Sequence, residues 1–154
     1  MIGVDPQFIV NGAIIGSTIA LAAIGLTLLF GVLDFINFAH GEYLTVGAYS
    51  AFVVNATLGL PVWAAAVLAV PITAVFALAI DRAVFYPLRR QGAGGLALLI
   101  TSVGLSIVLR NVIEAIWSSD TRSYAFESGA TLNILGIKIT MVQILIIVVS
   151  VVLM

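Results

Sequence analysis

Residues Gly31 to Tyr43 read GVLDFINFAHGEY, and how this stretch is read decides the fold. An apolar run without a single charge, Phe8–Phe30, leads into it, and a second apolar run, Tyr43–Ala56, leads out. Between them stand Asp34, Asn37, the only histidine of the chain, His40, and Glu42. A first helix ending near Leu33 and a second beginning at Glu42 would leave the second only about 16 residues, ~24 Å, against a hydrocarbon core of ~30 Å. The second helix is then expected to start inside the bilayer, with irregular backbone at depth before it. Lipid offers that backbone no hydrogen bonds, so it must be packed in protein or border a water-filled path. Broken helices build solute paths, where free N–H groups and the positive end of a helix meet polar solutes. Asp34, Asn37, His40 and Glu42 are therefore the candidate lining of a path, ionisable groups at depth being costly. The competing reading gives the same residues a structural duty: Asp34 or Asn37 satisfying loose backbone, and His40 pairing with Glu42.

Composition fixes the class. Of 154 residues, 62% are hydrophobic and 8% charged, where a soluble domain carries roughly 25% charged residues. Mean hydropathy is +1.25, so the chain lacks the polar residues to cover a surface in water. An all-α integral membrane protein follows. A net charge of −1 gives no basic field for nucleic acid. With no cysteine and one histidine, the ligands for a metal site are too few. No Lys or Arg precedes Arg82, which argues against a cleaved signal peptide.

The spacing of apolar runs predicts a polytopic helix bundle of four full spans plus the start of a fifth, with a broken helix at INFAHGE. The spans are Phe8–Phe30, Tyr43–Ala56, Val62–Ile80 with Pro71 inside it, Leu96–Trp117, and the beginning at residues 139–154. Pro71 is read as a kink that neighbouring helices tolerate. Arg82, Arg89 and Arg90 make the 82–95 loop cytoplasmic by the positive-inside rule, which puts the N-terminus and residues 118–140 outside. Within that outer segment TLNILGIKIT reads as a β-hairpin turning at Leu135-Gly136, either a compact connection or a docking surface.

Polar residues recur elsewhere with helical spacing. Ser102, Ser106, Arg110 and Glu114 form a slanting stripe, and Arg110 and Glu114 at i,i+4 are read as an ion pair inside the bundle, with a vestibule lining as the other reading. Gly12, Gly16 and Ala20 suit close helix packing. RQGAGGL follows no strand and is a turn rather than a phosphate loop, and no G-x-x-x-x-G-K-[ST] motif occurs. No cofactor is expected in this chain. No nucleophile and base stand together in the pattern of a hydrolase, so no enzyme is expected. The residues alone leave a motor-driven transport subunit, a stand-alone facilitator or channel for a small polar solute such as urea or an amide, and a purely structural assembly subunit all open.

GSTIALAAIGLTLLFGVLDFINFAHGEYLTVGAY (16–49), AVFYPLRR (83–90), ALLITSVGLSIVLRNVIEAIWSSDTR (97–122) and the closing ITMVQILIIVVSVVLM carry a resemblance. In this order they resemble the permease subunits of branched-chain amino acid ATP-binding-cassette importers, and the H-type subunit more than the M-type. The resemblance implies a multi-pass cell-membrane permease that pairs with a second permease subunit. It implies two cytoplasmic ATPase subunits, which bind the ATP, and an external solute-binding protein. Such permeases are about twice this length. The chain is accordingly expected to be one transmembrane permease domain over 1–154, the N-terminal half of a longer permease, incapable of transport alone. The 16 residues after Lys138 agree with that expectation, being short of a full span.

Overall fold

The computed structural model describes residues 6–118, 131–134 and 137–153. Among them six α-helices run in the order α1 (Pro6–Leu33), α2 (His40–Leu58), α3 (Val62–Ile80), α4 (Tyr86–Arg90), α5 (Gly95–Trp117) and α6 (Met141–Leu153). A π-helical turn, Asp81–Phe85, joins α3 to α4, and strands β1 (Thr131–Ile134) and β2 (Ile137–Thr140) precede α6. Among the described residues three helices are long and apolar enough to cross a membrane: Gln7–Leu33, Val62–Arg90 and Gly95–Trp117. The second expected span, α2, starts earlier than anticipated, at His40, and has 19 residues. It falls short of that apolar mark because His40, Glu42, Asn55 and two tyrosines interrupt it.

The chain divides into two compact units, 1–28 with 127–154, and 29–126. In the first, α1 is apolar on all sides. Its hydroxyls turn back on its own backbone, Ser17 and Thr18 donating to the Ile14 carbonyl and Thr27 to that of Ile24. Each of these hydroxyls thus meets a backbone carbonyl of its own helix. Gly12 and Gly16 have no described neighbour within 4 Å of where a Cβ would stand. The two strands of the expected hairpin are present, β1 and β2 pairing antiparallel from Thr131↔Thr140 to Ile134↔Ile137, while the expected turn at Leu135-Gly136 lies outside the described residues. The last apolar run turns helical only at Met141. Thr140 N–H donates to Gln143 Oε1 (2.9 Å) while Gln143 N–H donates to Thr140 Oγ1 (3.4 Å). This reciprocal pair is a capping box, which stops the strand and starts the helix.

In the second unit α2 and α3 form an antiparallel hairpin. Gly59 ends α2 with φ 62°, its N–H on the Asn55 carbonyl, while Asn55 Nδ2 donates to the Leu60 carbonyl at 2.7 Å. A left-handed residue after a helix favours glycine, which carries no Cβ to clash. The two helices meet through small residues: Ala51, Ala65 and Ala69 are buried, and a Cβ on Gly47 would lie 3.1 Å from Thr73 Oγ1. Tyr43 and Phe76 close the seam edge to face at 6.2 Å. α3 runs without a break through Pro71. On the other side α2 runs parallel to α5, contacts rising together from Phe38–Ser102 through Glu42–Ser106 to Tyr49–Trp117.

The expected 82–95 loop is a correction. Residues 82–90 continue the helix, so Val62–Arg90 is one rod and only residues 91–94 turn. Pro87 has no N–H, and in an α-helix its ring would strike the carbonyl four residues back. The π turn just before it widens the helix and passes the Tyr86 N–H to the Asp81 carbonyl. The packing residues record the same event, Ala65, Ala69, Thr73, Phe76 and Ile80 being followed not at 84 but at Phe85. Asp81 and Arg89 then lock the turn, Arg89 Nη2 lying 2.8 Å from each carboxylate oxygen. The rod ends in a Schellman turn: Gly92 (φ 79°) donates to the Arg89 carbonyl and Ala93 to that of Leu88.

Substituting Gly47→Leu is expected to force α2 from α3 and to cost about 1–3 kcal/mol, as overpacking does. Adding Thr73→Ala should recover part of the loss. Thermal unfolding of the detergent-solubilised protein reads both, and an unchanged midpoint for Gly47→Leu would show that the two backbones are not held at this distance.

Candidate functional site

The interruption between α1 and α2 occupies residues 34–39. Asp34 opens it in the left-handed region, φ 57°, with its N–H still on the Phe30 carbonyl at 2.9 Å. Its carbonyl faces the first residue of α5, 3.7 Å from where a Gly95 Cβ would stand. Phe35 then folds inward against Phe85, ring centroids 5.3 Å apart, with Leu98 beside them. Asn37 is 3% exposed and organises the start of α2. Its Oδ1 accepts the Ala39 N–H (3.0 Å), its own carbonyl accepts the His40 N–H (3.1 Å), and its side chain bonds to that of Tyr43.

Part of the remaining backbone of the interruption is met from α5. Ser102 is fully buried, its Oγ accepts the Phe38 N–H at 3.0 Å, and its proton goes to the Leu99 carbonyl at 2.8 Å. The Ile36 carbonyl lies 3.4 Å from the same oxygen. One turn further, Ser106 Oγ donates to Glu42 Oε1 at 3.3 Å. Ser102 is seven residues into α5 and Ser106 eleven, roughly 10 and 16 Å along the helix axis at 1.5 Å per residue. The start of α2 is thus set well up the side of α5, not level with its first turn.

The four candidate path residues do not converge. Asp34 is exposed at the lower end of the interruption, and Asn37 is committed to capping. His40 and Glu42 are two residues apart on one helix, about 200° around its axis, and so face opposite ways. Asn37 and His40, with Tyr43, Thr73 and Asp81, border a groove of about 920 Å³ between α2 and α3, whose walls are otherwise mostly small and apolar. Glu42 instead lines a cavity of about 400 Å³ between α2 and α5 with Thr45, Tyr49, Arg110, Glu114 and Ser118. Arg110 Nε sits 3.1 Å from Glu114 Oε1, but the side chains are 71% and 47% exposed, so no described residue encloses the pair as the sequence reading anticipated. No group of metal-ligating side chains occurs among the described residues.

Two participants escaped the reading of the polar stretch: Asp81, which looked like part of a loop, and Tyr49, stacked on Trp117 at 4.9 Å. The four-residue periodicity of the α5 stripe did carry a signal, since Ser102 and Ser106 are its first members.

Comparison with known proteins adds an independent line. The family described as "Branched-chain amino acid transport system / permease component" matches residues 8–154. The high-affinity branched-chain amino acid transport system permease protein BraD of Pseudomonas aeruginosa is 36% identical over 159 residues, covering 94% of this chain and 50% of BraD. The LivH permease proteins of Escherichia coli K12 and Salmonella typhimurium are 37% and 36% identical over 116 residues, covering 70% of this chain and 37% of theirs. The chain spans half or less of the length of these relatives. No solved structure matches.

Ser102→Ala should strand the Phe38 N–H and cost about 1–3 kcal/mol, the penalty for a buried donor without an acceptor. Thr101→Ala removes a hydroxyl that bonds only the Ala97 carbonyl of its own helix, and is expected to be near neutral. Unfolding midpoints of the two variants check this, and equal midpoints would mean that Ser102 does not hold the interruption.

Proposed function

Because this chain belongs to the branched-chain amino acid transport permease family, we propose that it forms part of the membrane path of an ATP-driven importer of branched-chain or related amino acids. Its working partners are then a second permease subunit, two cytoplasmic ATPases that bind and hydrolyse the ATP, and an external solute-binding protein. The chain itself performs no catalysis and needs no cofactor. It is a multi-pass membrane protein in which α2, despite its polar residues, serves as a fourth span beside α1, the Val62–Arg90 rod and α5. Residues 1–154 act as one transmembrane permease domain.

The observation that carries this reading is the height at which the interruption is pinned. The Ser106–Glu42 bond lies roughly 16 Å along α5, halfway through a hydrocarbon core of ~30 Å. Irregular backbone up to roughly 10 Å along α5 and a carboxylate at roughly 16 Å are unfavourable in lipid and are supported where they border a polar path. In this reading Glu42 and His40 face the path or its walls, Asn37 shapes the break, and Asp34 stands at its cytoplasmic end. Arg82, Arg89 and Arg90 at the same end support a cytoplasmic turn 91–94, with the N-terminus and hairpin outside.

Membrane vesicles containing the complete transport system should take up labelled leucine, isoleucine or valine only with hydrolysable ATP. Equilibration of urea or an amide without ATP would instead establish a stand-alone facilitator. For orientation, single cysteines at Gly94 and Leu60 should label from opposite sides, Leu60→Cys from outside. Outside labelling of Gly94→Cys in intact cells would invert the topology.

A further inference from the structure

We propose that the cavity between α2 and α5 is the subsite for the charged head of the solute, taking the ammonium and carboxylate of an α-amino acid zwitterion. The inference rests on the amino acid reading above and specifies where this chain would meet the substrate.

The walls of the cavity carry both charges that such a head requires. Glu42 enters from the first turn of α2, and Arg110 and Glu114 from the last turns of α5. Neither Glu42 nor Arg110 is saturated. Glu42 Oε1 accepts one neutral bond from Ser106, and no described cation stands against its other oxygen. Arg110 spends only Nε on Glu114, and its two terminal nitrogens have no acceptor among the described residues. A guanidinium in that state presents a forked pair of donors suited to a carboxylate. Glu42 can receive the ammonium, and Glu114 holds the guanidinium in place.

Charge counting selects a zwitterion over a simple ion. Two carboxylates and one guanidinium leave the cavity one negative charge in excess. A lone anion would meet both carboxylates, and a lone cation would leave the fork of Arg110 without an acceptor. A zwitterion satisfies both free ends and leaves the local charge unchanged. At about 400 Å³ the cavity is at the small end of the range for ligand pockets, about 300–1,000 Å³. The depth fits as well, since Ser106 sets Glu42 at mid-height on α5. Thr45 and the ring of Tyr49, stacked on Trp117, complete the wall on the upper side.

The test is saturation-transfer NMR, which reads weak binding, on the full chain in lipid nanodiscs. The probes are leucine, leucinamide (no carboxylate) and 4-methylpentanoate (no ammonium). Leucine should bind, and each analogue should bind about ten- to a hundredfold more weakly, the loss of one charge-assisted contact. Arg110→Gln should weaken leucine to the level of leucinamide and leave leucinamide unchanged. Glu42→Gln should do the same toward 4-methylpentanoate. Arg110→Lys should retain part of the leucine affinity. Circular dichroism and gel filtration confirm that the variants fold. Equal loss of all three probes in a folded variant, or leucine binding unaffected by either substitution, would overturn the assignment. So would the absence of leucine binding to the wild-type chain. ATP-dependent leucine uptake by the complete system, measured in parallel, separates the two proposals: uptake without binding here removes this subsite, and absence of uptake removes the amino acid reading itself.

Discussion

A single serine hydroxyl settles whether the interruption between α1 and α2 can exist. Six residues without regular backbone pairing bring donors and acceptors into a chain that is otherwise apolar. In lipid each unsatisfied group costs several kcal/mol. Asn37 covers the end nearest α2 from within. The middle is met from outside by Ser102, which takes the Phe38 N–H and stands against the Ile36 carbonyl. That contact fixes the height of α2 against α5, and from that height follow the position of Glu42, the parallel course of the two helices and the cavity between them.

The second helix then has two unlike sides. Toward α3 it offers glycine and alanine, which let the backbones approach and leave a groove with His40 and Asn37 at its polar end. Toward α5 it offers Glu42, Thr45 and Tyr49. This division explains why α2 is the least apolar of the long helices. A helix with protein on two sides needs less lipid-compatible surface, and its polar residues are where another helix supplies partners.

Much of this was legible beforehand. The third span, Val62–Ile80, coincides with α3, and Leu96–Trp117 misses α5 by one residue. Long apolar runs bounded by Gly, Pro and charge leave few alternatives. The hairpin was readable from its alternation. The 82–95 segment was misread because proline, three arginines and three glycines look like a loop. A π turn has no compositional mark, and it is what lets a helix continue up to and past Pro87. The start of α6 was missed although Thr140 and Gln143 spell a capping box, since an unbroken apolar run masked the polar pair at its edge. At the candidate site, closeness in sequence suggested one constellation. Helix geometry overrules it: two residues apart on α2 means opposite faces, and Glu42 belongs with residues of α5 more than sixty positions away.

The π turn at Asp81–Phe85 also makes the rod sensitive to length in a way that hydropathy does not register. The packing positions step by four, four, three and four, and then by five, so the turn absorbs one residue of phase. Deleting any one residue between 81 and 85 would leave an apolar helix of nearly the same composition and restore the ordinary α period. The helix beyond would keep its face, since the step from Ile80 to Phe85 would become an ordinary four, and Phe85 would stay on the side of Phe35 and Leu98. What would go is the widened turn, and the Pro87 ring would then meet the carbonyl four residues back. Among chains of this kind, then, the extra residue between Ile80 and Pro87 is itself structural information: it makes room for a proline without turning the helix off its seam.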